Sequence, residues 1–275
     1  MTPDKPSDPE IIKLQLPTGT AGVTDPSDGY ALVSIHGLPG SVRDFRWLGS
    51  CIEGPLRFVR IDMPGFGTTD AANIRDSSIP SRAEFILRVL DSLDIEQFVI
   101  LGHSMGGPVA MELAAKHSDR VRGLVLLSSV GLRPHKLLRS TPHINLITRA
   151  LDVGLLRRVM IGRIRSHFVK AGFPSSTKDD AIVQCIRWVN ATDFELINRD
   201  VKALEIPCFL AWALDDAWIE EDVFRELANS CPSGPRLEFD EGGHNIQKTH
   251  AVEIGEALLE WVPWVLKDVR LSGCD

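Results

Sequence analysis

The segment GHSMGG, residues 102–107, constrains the fold of this chain more than any other. It follows the apolar run QFVILG (97–102), which predicts a buried strand, and it precedes a stretch whose apolar spacing predicts a helix. The pattern G-x-S-x-G at such a turn is the nucleophile elbow. A serine on so sharp a turn requires a positive φ, and Gly102 and Gly106 are small enough to let strand and helix approach. Either the glycines only permit a tight turn, or the turn presents Ser104 as a nucleophile.

Short apolar runs alternate with helical patterns along most of the chain, which predicts an α/β fold with a mostly parallel sheet and helices on both faces. Strands are predicted at 11–16, 30–35, 57–62, 97–102, 121–130, 207–214 and 236–240. Between 131 and 205 the alternation stops and the spacing is mostly helical. We therefore expect a core domain of residues 1–130 and 206–275, with residues 131–205 forming a helical cap or lid. The first ten residues, polar and proline-rich, predict a loose tail.

Composition excludes several classes of protein. The net charge of −7 disfavours a nucleic-acid binder. The five cysteines include no CxxC pair, so neither a disulfide framework nor a zinc site is indicated. The N-terminal residues do not resemble a signal peptide, and no apolar run approaches the roughly 18–20 residues of a membrane span. A soluble, cytoplasmic protein is the resulting expectation.

Five motifs along the chain carry a family resemblance. They are HGLPGSVRDF (36–45), DMPGFGTTD (62–70), GHSMGG (102–107), IPCFLAWALDDAW (206–218) and GGHNIQKTHA (242–251). They resemble, in order, the HG loop, the D-x-x-G-x-G turn, the elbow, the acid-bearing strand end and the histidine loop of the α/β-hydrolase superfamily. The resemblance covers nearly the whole chain and is weakest over 1–29 and 131–205. It is to the esterase- and lipase-like members that have a serine nucleophile and a helical cap.

The resemblance implies a catalytic triad of Ser104, His244 and Asp216, in the chain order that this fold uses. A serine hydroxyl needs an adjacent base, and His244 lies in the loop where the family places it. The family pattern puts the acid at Asp216, although two small departures around it leave the neighbouring Asp215 as an alternative. We expect Asp62 to brace the D-x-x-G-x-G turn instead of serving as the acid.

The same resemblance implies an oxyanion hole and a substrate pocket. A developing oxyanion needs fixed donors, and the expected ones are the backbone N–H groups of Leu38 and Met105. Phe45, Trp188 and Trp218, together with Met105, could line an apolar acyl pocket beneath the cap. Core packing would explain each of these large side chains equally well.

The predicted cap is unusually basic. Residues 131–170 contain nine Lys or Arg and one acidic residue, interleaved with apolar residues that predict amphipathic helices. One interpretation is a lid whose apolar face covers the site and whose basic face meets water or the acidic core. The other is transient attraction to an anionic membrane surface or to an acidic acyl carrier.

These observations predict a serine hydrolase that cleaves a carboxylic ester, or a related acyl bond, of a small apolar substrate through an acyl-enzyme intermediate. No metal or organic cofactor is expected. Dehalogenases and epoxide hydrolases of this fold carry an aspartate at the elbow, where this chain has Ser104. Two alternatives stay open: a carbon–carbon bond hydrolase acting on a diketone with the same triad, and a non-enzymatic ligand-binding protein of the same fold.

Overall fold

The computed structural model describes residues 6–271 except 140, 142 and 171, and it describes side chains as far as residue 267. Part of the predicted N-terminal tail, residues 1–5, therefore lies outside the described residues. The same holds for residues 272–275 at the end of the predicted core domain.

In the described part of the chain, eight strands form one sheet. They are β1 (Ile12–Leu16), β2 (Gly19–Thr24), β3 (Tyr30–Ile35), β4 (Leu56–Ile61), β5 (Phe98–His103), β6 (Val121–Leu127), β7 (Cys208–Ala213) and β8 (Arg236–Phe239). Their order across the sheet is β1-β2-β4-β3-β5-β6-β7-β8. β2 runs antiparallel to both of its neighbours, and the other pairs are parallel. The predicted α/β fold with a mostly parallel sheet is confirmed.

Helices connect these strands. They are α1 (Arg46–Ile52), α2 (Ile79–Asp91), α3 (Gly107–Lys116), α4 (Lys136–Arg139), α5 (Ile144–Leu151), α6 (Gly154–Lys170), α7 (Asp179–Asn190), α8 (Phe194–Lys202), α9 (Glu221–Ser230), α10 (Ile246–Thr249) and α11 (Ala251–Leu271). No helix in the described part of the chain has the length and apolar character needed to cross a membrane.

Apolar layers cover both faces of the sheet. One layer joins the sheet to α1 and α11 through residues such as Leu48, Ile52 and Leu258. The other joins it to α2, α3, α8 and α9. Because the parallel strands are covered on both faces, they are nearly continuous apolar runs, and β3, β5 and β7 are buried along almost their whole length. Their carboxyl ends, where loops emerge, are the places for a functional site.

The sequence did not predict β2. Its residues, GTAGVT, include two glycines and lack a clear apolar alternation. A Cβ at Gly22 would overlap the side chain of Thr68, so the strand needs a glycine where the DMPGFGTTD turn packs against it. β2 is placed in the sheet by the hairpin with β1, in which Leu16 pairs with Gly19, and by pairing with β4.

Residues between β6 and β7 form α4 to α8, and the described part of this segment contains no strand. We call residues 131–205 the helical insertion. α5, α6 and α7 share a small apolar cluster around Leu151, Ile182 and Ile186, whereas α8 packs on α3 of the core. That the insertion is a cap domain separate from the core of 1–130 and 206–275 stays a prediction.

Part of the basic charge of the insertion is neutralised by the core. Arg133 lies 2.7 Å from Asp222 and 2.8 Å from Glu226, both on α9. Arg139 forms an ion pair with Glu220. These contacts agree with the interpretation in which basic residues of the insertion meet an acidic core.

Two buried carboxyl groups also connect the insertion with the core. Glu112 of α3 and Asp200 of α8 are 3% and 2% exposed, and each carboxyl group has a buried oxygen without a hydrogen-bond partner. Burial, with the nearby carboxyl group of Glu112, raises the pKa of Asp200 from its ordinary 3.8 to about 7. The pair therefore retains a proton in mildly acidic solution, while Lys116 lies 2.5 Å from Glu112 and neutralises its charge.

We expect Asp200 to make the free energy of unfolding decrease as the pH rises from about 4 to about 7. Over that range the unfolded chain has released the Asp200 proton, whereas the folded chain still holds it. Asp200→Asn should remove this contribution and raise Tm at pH 8 by about 3 °C or more relative to wild type. Thermal unfolding between pH 4 and 8 measures it, with Asp179→Asn, on an exposed ion pair, as the control. Equal pH slopes for D200N and wild type would contradict the assignment.

Candidate active site

Ser104 stands on the predicted strand-to-helix turn. β5 ends at His103, a single 3-10 turn spans Ser104–Gly106, and α3 begins at Gly107. The φ angle of Ser104 is +53°, the positive value that the motif predicts and that a non-glycine residue rarely adopts. The first turn of α3 therefore begins directly beside the serine hydroxyl.

The glycines around Ser104 are sterically required. A Cβ at Gly102 would lie 2.6 Å from the Cα of Gly107, and one at Gly106 would overlap the carbonyl oxygen of Ile35 on β3. Any side chain at either position would push α3 away from the sheet. These glycines therefore do more than permit a turn, because they let the serine stand at the carboxyl edge of the sheet.

The structure brings Ser104, His244 and Asp216 together. His244 Nε2 lies 2.8 Å from Ser104 Oγ, and His244 Nδ1 lies 2.7 Å from Asp216 Oδ2. Since a carboxylate only accepts, Nδ1 carries the proton that is donated to Asp216, and Nε2 is free to accept from the serine hydroxyl. The three side chains form an unbroken hydrogen-bonded chain at the ends of β5, β7 and β8.

The two adjacent aspartates have different partners. Asp216 holds the imidazole, and its other oxygen, Oδ1, accepts from the backbone N–H groups of Trp218 at 2.8 Å and Ile219 at 3.1 Å. Asp215 is exposed and accepts from the N–H of Gly243 at 2.7 Å, so it orients the histidine loop instead of the ring. The alternative assignment of the acid to Asp215 is not supported by this geometry.

The charge state of Asp216 suits an orienting acid. Burial opposes ionisation, but the hydrogen bond and charge of His244, with the N–H groups of Trp218 and Ile219, outweigh it and lower the pKa of Asp216. The carboxyl group is therefore ionised at neutral pH and can stabilise a protonated His244.

The two residues that are predicted to supply the oxyanion donors lie beside the reactive serine. Leu38 and Met105 both line the cavity into which Ser104 and His244 open. A Cβ at Gly37 would be 2.8 Å from the Cβ of Ser104, so the loop that carries Leu38 runs directly against the serine. Asp62 fixes the base of this loop by accepting from the N–H of Val42 and, on the DMPGFGTTD turn, from that of Thr68, each at 2.8 Å.

A cavity of about 510 Å³ lies above Ser104 and His244. Its wall is mostly apolar, and the helical insertion supplies a large part of it, including Ile144, Ile164 and Phe168. Such a cavity matches the size of common ligand pockets. Arg163 is the one Lys or Arg among the described residues that line it.

One of the three aromatic pocket predictions agrees with the structure. Trp218 lines the cavity, with its ring 4.6 Å from the ring of His244. The other two are corrected to core residues. Phe45 packs edge-to-face on Phe58 in the layer beside α1, and Trp188 is enclosed between Phe66 and the guanidinium of Arg82.

Comparison with known proteins identifies the family. The family model described as alpha/beta hydrolase fold matches residues 30–169, just over half of the chain. The chain belongs to this family. The match spans the HG loop, the elbow and much of the helical insertion.

Three proteins similar to this alpha/beta hydrolase share less than 30% of its sequence over most of its length. An uncharacterised hydrolase, YugF of Bacillus subtilis, is 21% identical over 84% of the chain and 89% of its own length. The 2-hydroxymuconate semialdehyde hydrolase of Pseudomonas putida is 28% identical over 88% of the chain and 91% of its own length. Among solved structures, the haloalkane dehalogenase DbeA from Bradyrhizobium elkani has a TM-score of 0.74 at 16% identity, covering 94% of the chain and 99% of its own. At that identity the likeness establishes the fold alone.

Sequence reasoning gave His103 no part in this α/β-hydrolase site, yet it holds the histidine loop. Its Nε2–H donates to the carbonyl oxygen of His244 at 2.9 Å. Burial, with the nearby imidazole of His244, lowers the pKa of His103 to about 3, so the ring is neutral and its single N–H is the one on Nε2. The sequence feature that could have indicated this role is the position of His103 next to Ser104. That position alone does not distinguish a residue that holds the histidine loop from an ordinary residue at a strand end.

His135 is a second residue that the sequence analysis missed. It lines the cavity, is 4% exposed, and has Nδ1 at 3.0 Å from the carbonyl oxygen of Trp218. Nothing in the local sequence marks it, because only folding brings the start of the insertion against the loop after β7. Within the described residues, no group of three or more His, Cys, Asp and Glu side chains is arranged to hold a metal ion.

Proposed function

We propose that this alpha/beta hydrolase is a serine hydrolase that cleaves a carboxylic ester, or a related acyl bond, through an acyl-enzyme intermediate. The observation that supports it most is the hydrogen-bonded chain from Ser104 through His244 to Asp216 at the floor of an apolar cavity. A nucleophile, a base and an orienting acid within hydrogen-bond reach are the parts that acyl transfer requires.

The proposed reaction uses each of these atoms. Ser104 Oγ attacks the acyl carbonyl carbon while its proton passes to His244 Nε2. When the tetrahedral intermediate collapses, the carbon–oxygen bond to the alcohol breaks and His244 returns that proton to the leaving oxygen. Water then attacks the acyl-serine with the same help from His244, which releases the carboxylic acid and restores the serine. Asp216 keeps the imidazole in one tautomer throughout.

Charge that develops on the carbonyl oxygen needs fixed donors. We assign this role to the backbone N–H groups of Leu38 and Met105, because both residues line the cavity beside Ser104. The N-terminus of α3 adds a positive dipole end on the same side of the serine. The apolar wall around them favours a substrate whose acyl part is apolar.

The second candidate is hydrolysis of a carbon–carbon bond in a diketone. It is favoured by the 2-hydroxymuconate semialdehyde hydrolase of Pseudomonas putida, which aligns with this chain over most of both lengths. The composition of the cavity weighs against a diketone that carries a carboxylate, since Arg163 is the one Lys or Arg among the described lining residues.

A substrate panel separates these functions. We expect kcat/KM to be highest for an apolar nitrophenyl ester when short to long acyl chains are compared with a lactone and a vinylogous diketone. A fluorophosphonate probe should label the wild-type chain and leave Ser104→Ala unlabelled. A preference for the diketone would establish carbon–carbon hydrolysis instead. A folded wild-type chain that neither turns over any substrate nor reacts with the probe would favour the ligand-binding protein.

A further inference from the structure

Helix α6 exposes apolar side chains to solvent. Leu155 is 73% exposed and Val159 is 64% exposed, and both lie within the regular helix. Six of the nine large apolar side chains that are exposed in the described part of the chain lie between residues 146 and 169. Scattered exposed apolar residues are ordinary on a protein surface, whereas a concentration of them marks an interaction site.

The exposed apolar residues of α6 lie on a different side of the helix from the apolar residues that pack inside the insertion. Ile161, Ile164 and Phe168 recur at helical spacing and pack against the apolar cluster of the insertion. Leu155 and Val159 lie on the opposite side of the helix. α6 therefore has apolar residues on two faces, and packing within the chain accounts for only one of them.

The outer face of α6 is also basic. The helix contains five Lys or Arg and no acidic residue. Arg157 and Arg165 form ion pairs with Asp180 and Asp179 of α7. The other three cations are exposed and form no ion pair with any other described residue. We define the α6 face as Leu155, Arg158, Val159, Arg163, Val169 and Lys170.

We propose that the α6 face docks onto an anionic lipid surface, with the helix axis in the plane of that surface. Exposed Leu and Val side chains would enter the boundary of the acyl chains, and the three free cations would meet lipid phosphates. The charge distribution favours this orientation. Residues 131–170 are strongly basic, whereas the chain as a whole has a net charge of −7, so the rest of the molecule is acidic. An anionic surface would attract the α6 face and repel the acidic remainder.

Docking in this way would bring the lipid surface next to the cavity. Arg163 and His167 are exposed, and both also line the cavity above Ser104, so the cavity reaches the surface along one flank of α6. A lipid-dissolved apolar molecule could then enter without crossing water. The inference does not depend on the proposed reaction, since the face would bind lipid whether or not Ser104 reacts.

The test is co-sedimentation of the full chain with vesicles of phosphatidylcholine alone and of phosphatidylcholine with about one-third phosphatidylglycerol. We expect binding to the anionic vesicles that weakens as salt rises from about 0.05 to 0.5 M, and little binding to the neutral ones. Arg158→Gln with Lys170→Gln should weaken binding about tenfold or more. Leu155→Ser with Val159→Ser should weaken it to a similar degree, since about half of each side chain would be buried in lipid.

Two matched double variants are the controls. Lys13→Gln with Lys202→Gln removes the same charge from exposed positions elsewhere, and Ile12→Ser with Val252→Ser removes exposed apolar groups outside α6. Both should bind anionic vesicles as wild type does, and thermal unfolding verifies that every variant is folded. Absence of vesicle binding by wild type, or equal loss in α6 and control variants, would overturn the proposal. Self-association of the wild-type chain that only the α6 variants abolish would also overturn it, because the α6 face would then bind a second copy of the chain.

Discussion

Replacing Ser104 with alanine is expected to lower kcat on an ester substrate by about 10⁴- to 10⁶-fold, because no other group would form the acyl intermediate. Substrate binding should be nearly unchanged, since the cavity wall keeps its other residues. The residual rate would come from oxyanion donors and from substrate positioning. Steady-state kinetics at saturating substrate, with titration of active sites in the wild type, measures the loss.

Ser129→Ala is the matched control for this experiment. Ser129 is also a buried serine after a core strand, but its hydroxyl donates to the carbonyl oxygen of Val130 and takes no part in the chain to His244. Its loss should cost about 1 kcal/mol of stability and leave kcat within a few-fold. If S104A retained most of the wild-type rate, Ser104 would not be the nucleophile.

Asp216→Asn is expected to lower kcat by about 10⁴-fold with little change in structure. An asparagine can donate to Nδ1 of His244, and that exchange would place the ring proton on Nε2, where it cannot accept from Ser104. Asp215→Asn should lower kcat by only a few-fold, because the new side-chain oxygen can still accept from the N–H of Gly243.

D215N is a matched control for D216N, because the two residues are adjacent and the substitutions are identical. Kinetics should be measured together with thermal unfolding, so that any loss of folded protein is separated from a loss of chemistry. Equal losses in both variants would mean that the loop position, and not the tautomer of His244, limits the rate.

The sequence predicted every strand except β2, and it predicted the three residues that meet in the candidate site. The physical reasons for these predictions differ from the reasons for the failures. Ser104 and the glycines around it are constrained by backbone geometry within a few residues, so a local pattern identifies them. His244 and Asp216 follow strands that end at the same edge of a parallel sheet, so topology brings them to the serine.

The failed predictions depend on tertiary packing, which no local sequence pattern shows. Phe45 and Trp188 are large and apolar in the sequence, and that property alone cannot tell a core position from a cavity wall. β2 was missed because its pairing depends on a hairpin and on a close approach of Thr68, not on its own apolar pattern. His135 reaches the cavity through packing of the insertion against the loop after β7, which no local pattern encodes.

The helical insertion forms much of the cavity wall, whereas the strands outside it hold the three residues of the hydrogen-bonded chain. Ser104 precedes the insertion, whereas Asp216 and His244 follow it, and all three are held by strands of the same sheet. Substitutions or length changes in α5 and α6 can therefore reshape the cavity wall and the α6 face without moving the hydrogen-bonded chain. A lineage with this architecture can acquire new substrates by altering one contiguous stretch of sequence, while its reaction chemistry is inherited intact.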